Sequence, residues 1–140
     1  MNTWQMYALA SAFFAGLTAI LAKKGVAGIP SNAATWVRTV VIILFLSALL
    51  SVRREWDNPF ALNAKGLFFL ICSGLATGLS WVCYFRALQL GPASVVASLD
   101  KLSLAFTVLL AAVFLSEHLG WVQWGGVILM TCGALMIAWK

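Results

Sequence analysis

Apolar residues gather into five long runs, Trp4 to Ala22, Ala33 to Val52, Gly66 to Phe85, Ala93 to Leu115 and Trp121 to Trp139, with short polar joins between them. Each run holds about 19 to 23 residues, and a helix rising about 1.5 Å per residue then crosses a hydrocarbon core of about 30 Å. The pattern predicts an all-α polytopic membrane protein with five transmembrane helices. Its punctuation agrees: Pro30, Pro59 and Pro92 fall between runs, where a missing backbone donor does no harm, and Gly120 marks the remaining join. The longest connection runs only from Arg53 to Lys65, so residues 1–140 read as one membrane domain. The first run has no Lys or Arg ahead of it and no small-residue cleavage site behind it, so it is expected to stay as a helix rather than be removed as a signal peptide.

Polar residues recur inside these runs at helical spacing. Ser73, Thr77, Ser80 and Tyr84 fall on one face of the third span; Asp100, Ser103 and Thr107 do so on the fourth, and Tyr7, Ser11 and Thr18 form a weaker stripe on the first. Such faces line a shared cavity, or their hydroxyls are satisfied by carbonyls of their own helix; the pattern allows both. Small residues mark packing faces: Ala8, Ala12 and Gly16 on the first span, Gly74 and Gly78 on the third. The last span carries Gln123 and Thr131 with Gly125, Gly126 and Gly133, and is expected to be peripheral, a contact surface for another subunit.

Composition sharpens the membrane reading. Hydrophobic residues make up 63% and charged residues 9% of the chain, against roughly 45–50% and about 25% in soluble domains. Charge inside a span therefore stands out. Asp100 and Lys101 lie side by side about seven residues into the fourth run, where a charge costs a few kcal/mol and marks a pathway or binding site. The net charge of +5 needs no nucleic-acid partner, because basic residues cluster beside spans for topological and headgroup reasons. Cys72, Cys83 and Cys132 lie within apolar runs without metal-ligand spacing, and are expected to be buried, inert thiols. No metal or cofactor is expected.

With five spans the termini lie on opposite sides. The N-terminal side then carries Arg53, Arg54 and Lys65, and the C-terminal side Lys23, Lys24, Lys140 and Arg86: three cations against four. A firmly oriented protein shows a clear excess on its cytoplasmic side, so insertion in both orientations is an expectation to test. The same topology puts Arg38, Arg86, Asp100 and Lys101 in one half of the bilayer. Two readings of these charges stand together, a structural clasp between the second, third and fourth spans and a substrate or proton site.

The stretch Tyr84-Phe85-Arg86-Ala87-Leu88-Gln89-Leu90-Gly91-Pro92-Ala93-Ser94, followed by Asp100-Lys101-Leu102-Ser103 and Phe114-Leu115-Ser116-Glu117, resembles the EamA-like domain of the drug/metabolite transporter superfamily. Arg38 fits that family's arginine near the start of helix two, and Gly125 to Ala138 resembles its last helix. The resemblance covers nearly the whole chain as one EamA-like repeat. Where many members have a proline in the first half of helix four, this chain has Asp100-Lys101, so a kink inferred from that proline is not carried over. Larger relatives hold two such domains in inverted orientation around a central path; with one copy here, the resemblance implies a homodimer, antiparallel if insertion is dual.

The implied function is secondary transport of a small organic solute by alternating access, in a bacterial or archaeal cytoplasmic membrane. No Gly-rich Lys-Ser/Thr nucleotide loop occurs, so no use of ATP by this chain is expected. Asp100 is the candidate coupling or substrate-contacting group, Arg38 and Lys101 candidate receptors for an anionic group on the solute, and Trp81 and Tyr84 candidates for shaping or stacking on it, with Ser80, Ser103 and Thr107 beside them. Glu117 and His118, at the end of the fourth span, are read as structural. An enzyme is not expected, because no nucleophile–base pair or metal cluster lies at depth. A non-transporting subunit or regulator of a larger complex is the alternative.

Overall fold

A computed structural model describes residues 3–56 and 63–139; Pro59 and Lys140, used above for loop and topology readings, lie outside the described residues. The helices are α1 (Thr3–Gly25), α2 (Ser31–Arg53), α3 (Ala64–Leu90), α4 (Ala93–Asp100), α5 (Ser103–Phe114) and α6 (Trp121–Ala138), with no strand among the described residues. Five spans are long and apolar enough to cross a membrane, because α4 and α5 together form one, Ala93–Phe114.

Helix ends follow the chemistry of the joins. Pro30 and Pro92 sit immediately before α2 and α4 in extended backbone, and their carbonyls accept the first helical bonds from Ala34 and Val96, each at 3.0 Å. Gly28, at φ +77°, turns the chain between α1 and α2 in a left-handed conformation that side chains resist. Arg54 and Ser116 adopt the same region at φ 55° and 53°, closing α2 and α5 where glycine is the usual residue. At the second of these closures the Glu117 amide reaches back to the Ala111 carbonyl at 3.3 Å. Glu117 thus closes the span through its backbone while its side chain is exposed, as is that of His118.

Two boundaries differ from the sequence expectation. The third span continues five residues past Phe85 to Leu90, because the polar pair Arg86 and Gln89 is accommodated on the helix surface and only Gly91-Pro92 stops it. The fourth span is interrupted at Lys101-Leu102 even though no proline is present. There the bonds tighten to a three-residue step, Lys101 to Ser98 at 3.1 Å and Leu102 to Leu99, Leu104 to Lys101 and Ala105 to Leu102 at 3.0 Å each. A tightened turn of this kind inside a helix often marks a hinge or a sequence under strain.

The chain forms two compact units, Met1–Lys23 with Leu90–Lys140, and Lys24–Gln89. In the first, α6 packs most closely on α4 and also touches α5. Val96 of α4 and Ala134 of α6 are buried in this unit. The last span packs within its unit while most of its side chains are exposed. The Lys23 ammonium donates to the Gly91 carbonyl at 2.8 Å, tying the end of α1 to the start of α4. An apolar cavity of about 220 Å³ lies between α5 and α6, lined by Ala105, Leu109, Trp124 and Val127 among others.

In the second unit the packed end lies where α2 begins and α3 finishes. Val26, Thr35, Phe85 and Leu88 are buried there, Leu88 completely. The Gln89 amide nitrogen donates to the Ile29 carbonyl at 2.6 Å and lies 3.4 Å from that of Val26, while its oxygen accepts from Arg86 at 3.0 Å. From Phe68 to Ser80, by contrast, every residue of α3 is exposed. All three cysteines are exposed as well, which corrects the expectation of buried thiols: thin helical units leave most apolar side chains facing outward.

Candidate functional site

Hydroxyl groups come first, since they set what the polar stripes can offer. Thr77 donates to the Ser73 carbonyl at 2.9 Å and Thr107 to the Ser103 carbonyl at 2.8 Å. Thr35, Thr39, Ser98 and Thr131 do the same one turn back along their helices. Their protons are committed, as the frugal reading of the stripes expected, so these groups present only acceptor lone pairs to anything beside them. Ser80 and Ser103 are exposed on the same faces.

Two charged arrangements stand out, one in each unit. In the first unit Asp100 and Lys101 form an ion pair at 3.9 Å, about half-exposed, at the interruption of the fourth span. Being chain neighbours, they tie no two helices together. The pair instead places both signs of charge on the tightened turn, with Ser103 opening α5 directly after it.

In the second unit Arg38 reaches from α2 to α3. Its guanidinium carbon lies 4.3 Å from the centre of the Trp81 ring and 5.5 Å from that of Phe85, and Tyr84 is an electrostatic neighbour. The sequence singled out Arg38, Trp81 and Tyr84 separately; the fold brings the three together and adds Phe85. The spacing explains this, since residues 81, 84, 85 and 88 share one face of α3. Gln89 was missed as a positioning residue. Its place beside Gly91-Pro92 was the available signal, but its partners, Val26 and Ile29, lie some 60 positions away in sequence.

Small-residue faces are open. Gly16, Gly74 and Gly78 have clear space where a Cβ would stand, and Ala8 and Ala12 are exposed. In α3 these glycines adjoin Ser73, Thr77 and Ser80 on the exposed stretch. A face that is both polar and small has no lipid-solubility reason to be there.

Residues 2–139 match the model of the EamA-like transporter family. The chain belongs to that family. It is 47% identical over 137 residues to a Sinorhizobium protein described as an uncharacterized transporter in the cobO 3' region, a match covering 98% of this chain and 97% of that one. Similarity to the protein RarD of Salmonella typhi is 30% and covers 96% of this chain but 46% of that protein. The pseudopaline exporter CntI of Pseudomonas aeruginosa is 29% identical, with 92% and 43% covered. This EamA-like chain thus spans nearly the whole of one relative and under half of the other two. No solved structure matches it.

Proposed function

We propose that this EamA-like chain is a secondary transporter that moves a small organic solute by alternating access across the cytoplasmic membrane of a bacterium or archaeon. The observation that carries this reading is the interrupted fourth span, with Asp100 and Lys101 on its tightened turn. Secondary transporters build solute and ion sites at broken helices, where backbone groups are released from the helical ladder. A structural ion pair has no need of such a break, and a packing subunit has no need of charge at membrane depth. Family membership supports carriage rather than catalysis.

The working unit in this proposal is a homodimer. RarD and the pseudopaline exporter are about twice the matched length, so a second copy of this chain supplies what their remaining half supplies. The exposed polar and small face of α3 supports a contact there. Near-balanced basic residues on the two sides favour an antiparallel pairing. Reporters fused to each terminus test that point, since uniform orientation of every copy excludes it.

The function itself is tested with purified protein in lipid vesicles loaded with a soluble metabolite extract and no nucleotide. Selective release of a small set of solutes, read by mass spectrometry against protein-free vesicles, is the expected outcome. Equal retention of everything contradicts it and favours the regulator reading.

A further inference from the structure

We infer that the solute carries a carboxylate and that Arg38 is its receptor; this rests on the transporter reading but is tested apart from it. Several cations are candidates, and their surroundings separate them. Lys101 already faces the Asp100 carboxylate at 3.9 Å. Arg86 is engaged by the Gln89 amide oxygen at 3.0 Å, within the contacts that fix the start of α2 to the end of α3. Arg38 is different. Among the described residues of its own unit the one carboxylate is Glu55, which pairs with Arg53 at the opposite end of α2.

What surrounds Arg38 is aromatic. Trp81 and Phe85 engage the face of a guanidinium and exclude water from it, but ring faces and an indole N–H offer no strong acceptor for its five N–H donors. Within its own unit Arg38 donates no hydrogen bond to a described residue, and the Tyr84 side chain is its electrostatic neighbour. Arg38 is half-buried, so the guanidinium is reachable. It also lies seven residues into α2, about 10 Å along the helix axis, deep enough for an unneutralised charge to be costly. A planar fork held by aromatic rings at that depth suits a planar oxyanion bound through two parallel hydrogen bonds.

Charge matching selects the class. One guanidinium neutralises one carboxylate, whereas a phosphate dianion bound there leaves a net negative charge at depth. Lipid phosphodiesters share the single charge and the oxyanion chemistry, so the experiment must separate a lipid headgroup from a free solute. Trp81 and Phe85 favour a solute whose carboxylate adjoins an apolar or aromatic body.

The test uses the purified chain in detergent and follows its thermal unfolding with benzoate, indole-3-acetate and 3-phenylpropionate, each against its neutral amide, and with dioleoyl phosphatidylglycerol as the lipid arm. A ligand that binds the folded state raises the apparent melting temperature in a saturable way. At least one carboxylate is expected to stabilise the protein while its amide does not. Arg38→Gln is expected to raise the half-saturating concentration tenfold or more, and Arg38→Lys, which keeps the charge without the fork, threefold to tenfold. Trp81→Phe keeps the site measurable if Arg38→Gln fails to fold, and is expected to weaken binding about threefold.

Stabilisation by no carboxylate, equal stabilisation by the amides, carboxylate binding indifferent to Arg38→Gln or Arg38→Lys, or stabilisation by the lipid alone overturns the inference. The two readings fail separately. Carboxylates that bind through Arg38 while nothing crosses vesicles sink the transporter reading and leave the receptor; neutral solutes that cross while carboxylates do not bind sink the receptor and leave the transporter.

Discussion

The guanidinium of Arg38 lies 4.3 Å from the centre of the Trp81 ring, joining the first half of α2 to the second half of α3. A cation over an aromatic face contributes about 0.5–1 kcal/mol when exposed and about 2 kcal/mol when desolvated. A double-mutant cycle of Arg38→Gln and Trp81→Leu, read by unfolding in detergent, is expected to give a coupling of about 1 kcal/mol. A coupling of zero would mean that the two side chains share a neighbourhood without interacting.

Leu88 carries the packing of the same hairpin end. It is the one fully buried large side chain among the described residues. Leu88→Ala is expected to cost about 2–5 kcal/mol, and the volume-conserving Leu88→Met less than about 1.5 kcal/mol. Measured unfolding free energies that rank the two in the opposite order would show that this end of α3 is not a packed core.

Asp100 and Lys101 pair locally and remain about half-exposed, so the pair itself contributes no more than about 1 kcal/mol. Asp100→Asn and Lys101→Gln are therefore expected to leave stability nearly unchanged while lowering solute flux at least tenfold. Asp100→Asn with unaltered flux and unaltered pH dependence rules out the coupling role. A large loss of stability instead restores the clasp reading.

Ser116 closes α5 at φ 53°, a backbone region that costs an L-residue about 1–2 kcal/mol relative to glycine. Ser116→Gly is expected to raise stability by up to about 1 kcal/mol, and the β-branched Ser116→Val to lower it. Thermal melts of the two variants should bracket the parent; a destabilised glycine variant would place the closure elsewhere.

The spans were legible because length and apolar content alone define them, and all five appear. Their interruptions were not. Lys101-Leu102 contains neither glycine nor proline, and the tightening there is a matter of hydrogen-bond register that residue type does not announce. Arg86 and Gln89 read as the polar end of a helix, yet a helix surface carries polar residues without stopping, and only Gly91-Pro92 ends α3. For the candidate site the residue types were readable and their partners were not. Arg38 stood out as a cation in an apolar run, but that Trp81 and Phe85 would meet it depends on how α2 and α3 pair. The thiols were misjudged for a related reason: apolar neighbours in sequence mean burial in a soluble core, whereas here they often mean a surface facing lipid or a partner.

Solute release from vesicles bears most directly on the central claim. Purified wild-type chain, reconstituted without nucleotide, should release a defined set of solutes from a trapped metabolite extract, and Arg38→Gln vesicles with equal protein content should retain the carboxylate-bearing members of that set. Retention indistinguishable from protein-free vesicles for every solute would contradict the account.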